Sequence, residues 1–219
     1  MDLQDWRRNH YLFDPDGYGR IFVFVDFGNV RPWAKDFWPK ENKYRISAEI
    51  DIAKLATICD WVTPDNKYFY YGHFPKIDTL PEEHEKNEKY RKSIYRIDKA
   101  RQAGFIPRTK DVKMIPEYDE NGHFLGEHPK CNFDVEIALD AITKMGQYDT
   151  AVLFSGDSDF GKLLGHLKSK KKKIIVVSTR NRMSTELQRV ADKFVPAETL
   201  KDLLMYQKKK YTPPGRAEV

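Results

Sequence analysis

Apolar residues fall into short runs and helical spacings that alternate along the chain. Ile21 to Val25 (IFVFV) is apolar at every position, the pattern of a strand buried on both faces of a parallel sheet, and it ends in Asp26-Phe27-Gly28-Asn29. Glu49 to Trp61 carries Ile52, Leu55, Ala56 and Cys59 at helical spacing. Lys67 to His73 reads as a second strand. Residues 82–103 read as a long charged helix closed by Gly104, and Phe105 to Arg108 as a short third strand. Residues 111–130 predict a hairpin turning at Asn121-Gly122. Phe133 to Met145 then predicts a helix with Phe133, Ile137 and Ala141 inward and Ile142 beside them. Ala151 to Phe154 is a fourth strand, followed by Ser155-Gly-Asp-Ser-Asp159 and a helix carrying Phe160, Leu163, Leu164 and Leu167. Lys173 to Ser178 gives a fifth strand. Residues 184–192 and 198–206 read as helices joined by Phe194-Val195-Pro196. Strands alternating with helices predict an α/β fold with a doubly wound, mainly parallel, Rossmann-like sheet and an added hairpin near 111–130. Residues 1–19 read as a lead-in, 20–206 as one domain, and 207–219 as a basic, disordered tail.

That alternation places carboxylates together. In a parallel sheet all strand ends share one edge, where ligands bind. Asp26 closes the first strand, Asp157 and Asp159 follow the fourth, and Asp134 opens a helix whose first turn can face the same edge. An aspartate at a strand end is often only a turn former or helix cap. Four at one predicted edge argue for more. Two carboxylates ~4 Å apart repel by about 4 kcal/mol at an effective dielectric near 20. A Mg²⁺ or Mn²⁺ ion removes that penalty, and such ions prefer oxygen ligands. Asn29 and Ser155 are placed to orient a water or a phosphate oxygen, and backbone amides near Ser158 to meet an anion. Asp140 lies six residues after Asp134, about 240° around a helix, so the two do not point at one ion; it reads as a structural hydrogen-bonding group.

Charge sharpens the picture. The 219 residues carry 38 basic and 33 acidic side chains, a net +5 compatible with nucleic acid. Basic residues crowd 168–173 and 208–210 and interleave with tyrosines along 86–101. Lys162, Arg180, Arg182, Lys170 and Lys171 are candidate phosphate contacts. Trp33, in the long aromatic and basic loop 31–47, is a candidate platform for unpaired bases. A basic surface around an acidic pocket suits a metal-dependent enzyme acting on a polyanion. The two cysteines, Cys59 and Cys131, give neither a disulfide framework nor a zinc site, and a reduced cytoplasmic compartment is the default expectation. No apolar run approaches the ~18 residues of a membrane span. Residues 1–17 show no continuous apolar segment, which reads against a secretory signal.

Two lookalikes fail. Gly17-Tyr-Gly19 precedes a strand instead of following one, so it is no dinucleotide fingerprint. Gly156 to Leu163 nearly spells a phosphate-binding loop, but Leu163 stands where Ser or Thr must hold Mg²⁺, and its two aspartates would repel phosphates. A haloacid-dehalogenase phosphatase also fits poorly, because Gly28 stands where such enzymes carry a second aspartate.

Three blocks resemble the NYN domains of the PIN-like nuclease superfamily, in the LabA-like branch. They are Asp26-x-x-Asn29 after a strand, Lys130-x-x-x-Asp134-Val135 with Ala138-Leu139-Asp140-Ala141, and LFSGDSDFGKLL at 153–164. IIVVS at 174–178 and the run 184–194 look like the family's closing strand and helix, so the resemblance covers roughly 20–200. It implies a Rossmann-like sheet, a Mg²⁺ or Mn²⁺ site at Asp26, Asp134, Asp157 and Asp159 supported by Asn29 and Ser155, and endoribonuclease activity on RNA. The 31–47 loop and the 111–130 hairpin are elaborations on that pattern. The alternative function is an RNA- or partner-binding module without turnover. Homo-oligomerisation is an option the sequence leaves open.

Overall fold

The computed structural model describes residues 5, 9–10, 12–37 and 49–206. Its centre is a six-stranded sheet formed by β1 (Ile21–Asp26), β2 (Lys67–Tyr70), β3 (Ile106–Arg108), β6 (Thr150–Phe154), β7 (Lys173–Ser178) and β8 (Lys193–Pro196). A hairpin of β4 (Lys113–Tyr118) and β5 (Phe124–Lys130) stands outside it. The sheet order is β3-β2-β1-β6-β7-β8 and every pairing is parallel. Counting only strands of this sheet, that is 3-2-1-4-5-6, the doubly wound arrangement.

Strand alternation divides the apolar residues between two cores. Ile21, Val23 and Val25 of β1 face one layer, with Val152 and Phe154 of β6 and Ile175 and Val177 of β7. That layer is covered by α1 (Ile52–Asp60), through Leu55, Ala56, Ile58 and Cys59, and by Ala100 of α2 (Glu85–Gln102). Phe22 and Phe24 face the other layer with Ala151, Leu153, Ile174 and Val176. There lie α3 (Asp134–Thr143), α4 (Gly161–Ser169) and α5 (Thr185–Val190), contributing Ile137 and Ala141, Leu163, Leu164 and Leu167, and Leu187. Burial on both sides explains why these strands lack polar alternation.

Element boundaries follow local chemistry. The α1 helix starts at Ile52 because the Asp51 carboxylate accepts from the N–H groups of Ala53 (2.9 Å) and Lys54 (3.2 Å). The α2 helix stops before Gly104, whose φ of +81° suits glycine. The hairpin turns through Gly122 (φ +82°), with Asp119 accepting from the N–H groups of Asn121 and His123. Phe133, just before α3, and Ile137 and Ala141 on it are inward as expected, but Ile142 is exposed.

Three expectations need correction. Phe194 to Pro196 is no linker: Lys193–Pro196 is the sixth strand, paired with Ile175 to Ser178. Four residues ending in proline at a sheet edge leave little apolar signal, since only Val195 is buried. The proposed helix 198–206 shrinks to a 3₁₀ turn (Ala197–Leu200) and one helical turn (Lys201–Leu204). Met205–Tyr206 instead pairs antiparallel with Glu49–Ile50, and strand pairing overrides helical spacing. Trp33 is fully buried, its ring 6.4 Å from that of Phe154, so it offers no face to a base. The tail 207–219, and residues 38–47 of the long loop, lie outside the described residues. Among the described residues no helix is long and apolar enough to cross a membrane.

Candidate functional site

Sheet order reverses between β1 and β6, and at such a switch point the loops leaving the two strands diverge and open a crevice. Asp26 is the last residue of β1, and Ser155 to Asp159 leave β6 directly beside it. Asp134 is the first residue of α3. The sequence-predicted carboxylates therefore gather at one edge, drawn from three separate segments.

A hydrogen-bond lattice ties these segments. Asn29 is pinned at the backbone, its N–H donating to Asp26 Oδ1 (3.3 Å), while its own Oδ1 accepts from the N–H of Gly156 (3.3 Å). The Asp-x-x-Asn spacing thus joins the β1 loop to the β6 loop. Ser155 is fully buried; its hydroxyl donates to Asp26 Oδ2 (3.4 Å) and accepts from the Asp157 N–H (3.3 Å). Ser155 positions carboxylates and does not face solvent. Gly156 admits no side chain: a Cβ there would meet the Arg182 carbonyl at 2.2 Å and Ser178 Oγ at 2.5 Å. Asp157 Oδ1 accepts from the Asp159 N–H (3.2 Å) and Ser155 Oγ from the Asp157 N–H, so two of the amides near Ser158 are already used. Asn132 Nδ2 donates to Asp134 Oδ2 (2.8 Å). Asp159 is exposed, and its carboxylate makes no hydrogen bond or ion pair among the described residues.

The charges feel one another. Asp26 is buried, and burial is the main reason its carboxyl is pushed up to about 6; the Asn29 N–H opposes that, Asp134 and Asp157 add to it, and Ser155 opposes it weakly. Asp134 is also raised, by burial first and then by Asp157 and Asp159, with Lys110 opposing. Lys110, which sequence reasoning missed, holds Glu136 Oε1 at 2.5 Å and lies 4.8 Å from the Phe133 ring centre. A lysine in a connecting segment carries no periodic signal, so only the folded arrangement reveals it. Four carboxylates without thiolate or imidazole have the oxygen chemistry a hard divalent cation prefers, and a nearby positive charge would relieve the burial cost of an ionised Asp26. They do not form a closed cage as they stand: among the described residues no group of three or more His, Cys, Asp or Glu is arranged to hold an ion.

Asp140 behaves as expected of a structural group. It accepts from Tyr70 Oη (2.9 Å), Arg108 Nε (2.8 Å) and Lys144 Nζ (2.5 Å). Burial alone would raise its pKa, but these donors outweigh that and hold it below the ordinary range. The candidate phosphate contacts divide. Lys162 in the first turn of α4 and Arg180 in the loop after β7 lie at the carboxylate edge, without ion pairs among the described residues. Arg182 is at that edge but paired with Asp36. Lys170 and Lys171 follow the far end of α4 and precede Lys173, which pairs with Thr150 at the start of β6. They sit at the opposite edge of the sheet and do not join the site.

A model for the NYN domain matches residues 20–201, most of the chain. The chain belongs to the NYN domain family. NYN domains fall within the PIN-like nuclease superfamily, which gives the chain a nuclease- or RNA-related role in coarse terms. A curated relative, the low amplitude and bright protein LabA of Synechococcus elongatus, is 32% identical over 101 residues. That alignment covers 46% of this chain and 53% of LabA, about half of each. A crystal structure of a protein of unknown function from Vibrio parahaemolyticus has the same fold, with a TM-score of 0.55 and 21% identity over 86% of this chain and 98% of that one.

Proposed function

We propose that this NYN domain is a metal-dependent endoribonuclease that hydrolyses RNA phosphodiester bonds with Mg²⁺ or Mn²⁺. One observation carries the reading: four carboxylates converge at the switch point, and burial with mutual repulsion lifts Asp26 to about 6. Such perturbation is typical of functional sites and unhelpful to a fold that needs only caps. Asp26, Asp134, Asp157 and Asp159 would hold the ion. A divalent cation, when bound there, supplies charge neutralisation for the phosphodiester and lowers the pKa of water. Ser155 and Asn29 fix Asp26 and the 155–159 loop relative to each other, so the donors arrive pre-positioned. Lys162 and Arg180, which make no ion pair among the described residues, would meet flanking phosphates at the same edge.

The second reading is an RNA- or partner-binding module without turnover, which the same fold can serve. A cleavage assay separates the two. Labelled single-stranded RNA containing a hairpin is incubated with Mn²⁺, Mg²⁺ or EDTA, beside Asp157→Asn. Cleavage that requires metal and vanishes in the variant while RNA binding persists supports the nuclease. Binding without cleavage supports the module, and cleavage that survives the substitution sinks the site assignment.

A further inference from the structure

Beside the carboxylates lies a cavity that neither the family nor the acidic site accounts for. It is a half-open recess of about 260 Å³ between Gly28, Arg31, Tyr71, Gly72, Phe74, Val112, Pro129, Cys131 and Phe133. Its walls come from the loop after β1, the extension of β2 and the base of the hairpin. Gly28 is the corner it shares with the acidic site, since a Cβ there would stand 3.2 Å from Asp26 Oδ1. Gly72 lets the back wall close: a Cβ would meet Cys131 Sγ at 2.6 Å and Val112 at 2.9 Å. Phe133 immediately precedes Asp134, so the cavity and the carboxylates hang on the same two segments.

From this we infer that the recess receives one unpaired nucleobase next to the phosphate addressed by the carboxylates. The inference rests on the proposed RNA reading. Its volume falls just below the roughly 300 Å³ at which drug-sized sites begin, room for one flat ring system and little more. Tyr71 and Phe74 line it as half-buried aromatic rings, the surfaces on which bases stack. Apart from Arg31 its lining carries no formal charge and is mainly apolar or aromatic, which suits an uncharged flat ring. Arg31 stands exposed at its rim and makes no ion pair among the described residues, leaving the guanidinium for the sugar–phosphate backbone. A base held in a duplex cannot enter a recess of this size without being splayed out, at a cost that a loop or a single strand largely avoids.

Cys131 reports on occupancy. Half-buried in the lining, its thiol is raised by burial, and the second cysteine, Cys59, is fully buried in the core. The full chain is treated with iodoacetamide in mildly alkaline buffer, with EDTA and separately with Mg²⁺. A short oligouridylate or a blunt RNA duplex is added, labelling at each cysteine is followed by mass spectrometry, and RNA binding is followed in parallel by anisotropy. The single strand at ten times its Kd should slow Cys131 alkylation about 10-fold, and the duplex should not. Tyr71→Ala should weaken binding of the single strand about 10- to 100-fold and abolish protection, with Cys59 still unlabelled as proof of folding. Binding without protection, equal protection by duplex, or no binding in either buffer would each overturn the inference. Protection without cleavage in the metal assay would keep the base pocket and retire only the nuclease.

Discussion

Replacing Asp26 by Asn should stabilise the metal-free protein while removing its function. The Asp26 carboxyl is lifted from an ordinary 3.8 to about 6, chiefly because the folded chain buries it. A group bound more tightly to its proton in the folded state favours folding below the unfolded pKa, and that contribution is lost as pH rises through the folded pKa. For Asp26 the window is 3.8 to about 6. Linkage gives a penalty for the ionised carboxylate of about 1.6 kcal/mol at about pH 5, growing to about 3 kcal/mol at about pH 8. Asn is neutral at both and keeps an oxygen for the Asn29 N–H; the wild-type bonds it disturbs are long, 3.3 and 3.4 Å. The variant should therefore gain on wild type by about 1.4 kcal/mol between about pH 5 and pH 8, and this difference cancels any pH-independent change in hydrogen bonding. For a chain of this size, about 3 kcal/mol corresponds to a Tm higher by roughly 6–12 °C. Thermal and urea unfolding in EDTA at the two pH values measure it, and added Mn²⁺ should stabilise wild type more than the variant. A gap that fails to widen with pH, or a variant less stable at the higher pH, would refute the claim that an uncompensated buried charge sits at the switch point.

Other consequences test the division between scaffold and site. Asp140→Ala strips a shared acceptor from Tyr70, Arg108 and Lys144 and should cost about 3 kcal/mol in urea unfolding, with RNA cleavage retained under conditions where the variant is folded. Its stabilising effect is present above the ordinary carboxylate pKa and fades as pH falls through its lowered folded value, so the variant and wild type should converge in acid. Trp33→Ala should lose about 3–5 kcal/mol of stability, and intact folded variant should bind RNA as wild type does, since the indole is core and not platform. Lys170→Glu with Lys171→Glu should change RNA affinity by less than about 2-fold at ~0.1 M salt. The nine residues of α4 put them about 13 Å further from the carboxylate edge than its first turn, beyond one screening length.

Much of the scaffold could be read from pattern. Strands buried on both faces are near-continuous apolar runs, so IFVFV and the IIVV within KIIVVS declare themselves, and a long charged stretch closed by Gly104 reads as α2. What failed was short or edge structure. Lys193–Pro196 buries one side chain and so carries almost no hydrophobic signal, and Met205–Tyr206 is strand only because Glu49–Ile50 is there to pair with it. Charge runs misled in the same way: a lysine cluster shows where charge lies in the chain, not at which end of the sheet it emerges.

For the site, the sequence by itself determined which residues have the chemistry and that strand ends would bring them to one edge. A strand followed by Asp-x-x-Asn, and another followed by Ser-Gly-Asp-Ser-Asp, suffice for that once the sheet is parallel, because parallel strands must end together. Only the tertiary structure decided the strand order that makes β1 and β6 neighbours, the burial that lifts Asp26 to about 6, and the placing of Lys110 beside Glu136. It alone also opened the recess between Gly28 and Cys131 and removed Trp33 from the surface. Those properties arise from contacts between segments far apart in the chain, and a local pattern of apolar and polar positions holds no record of them.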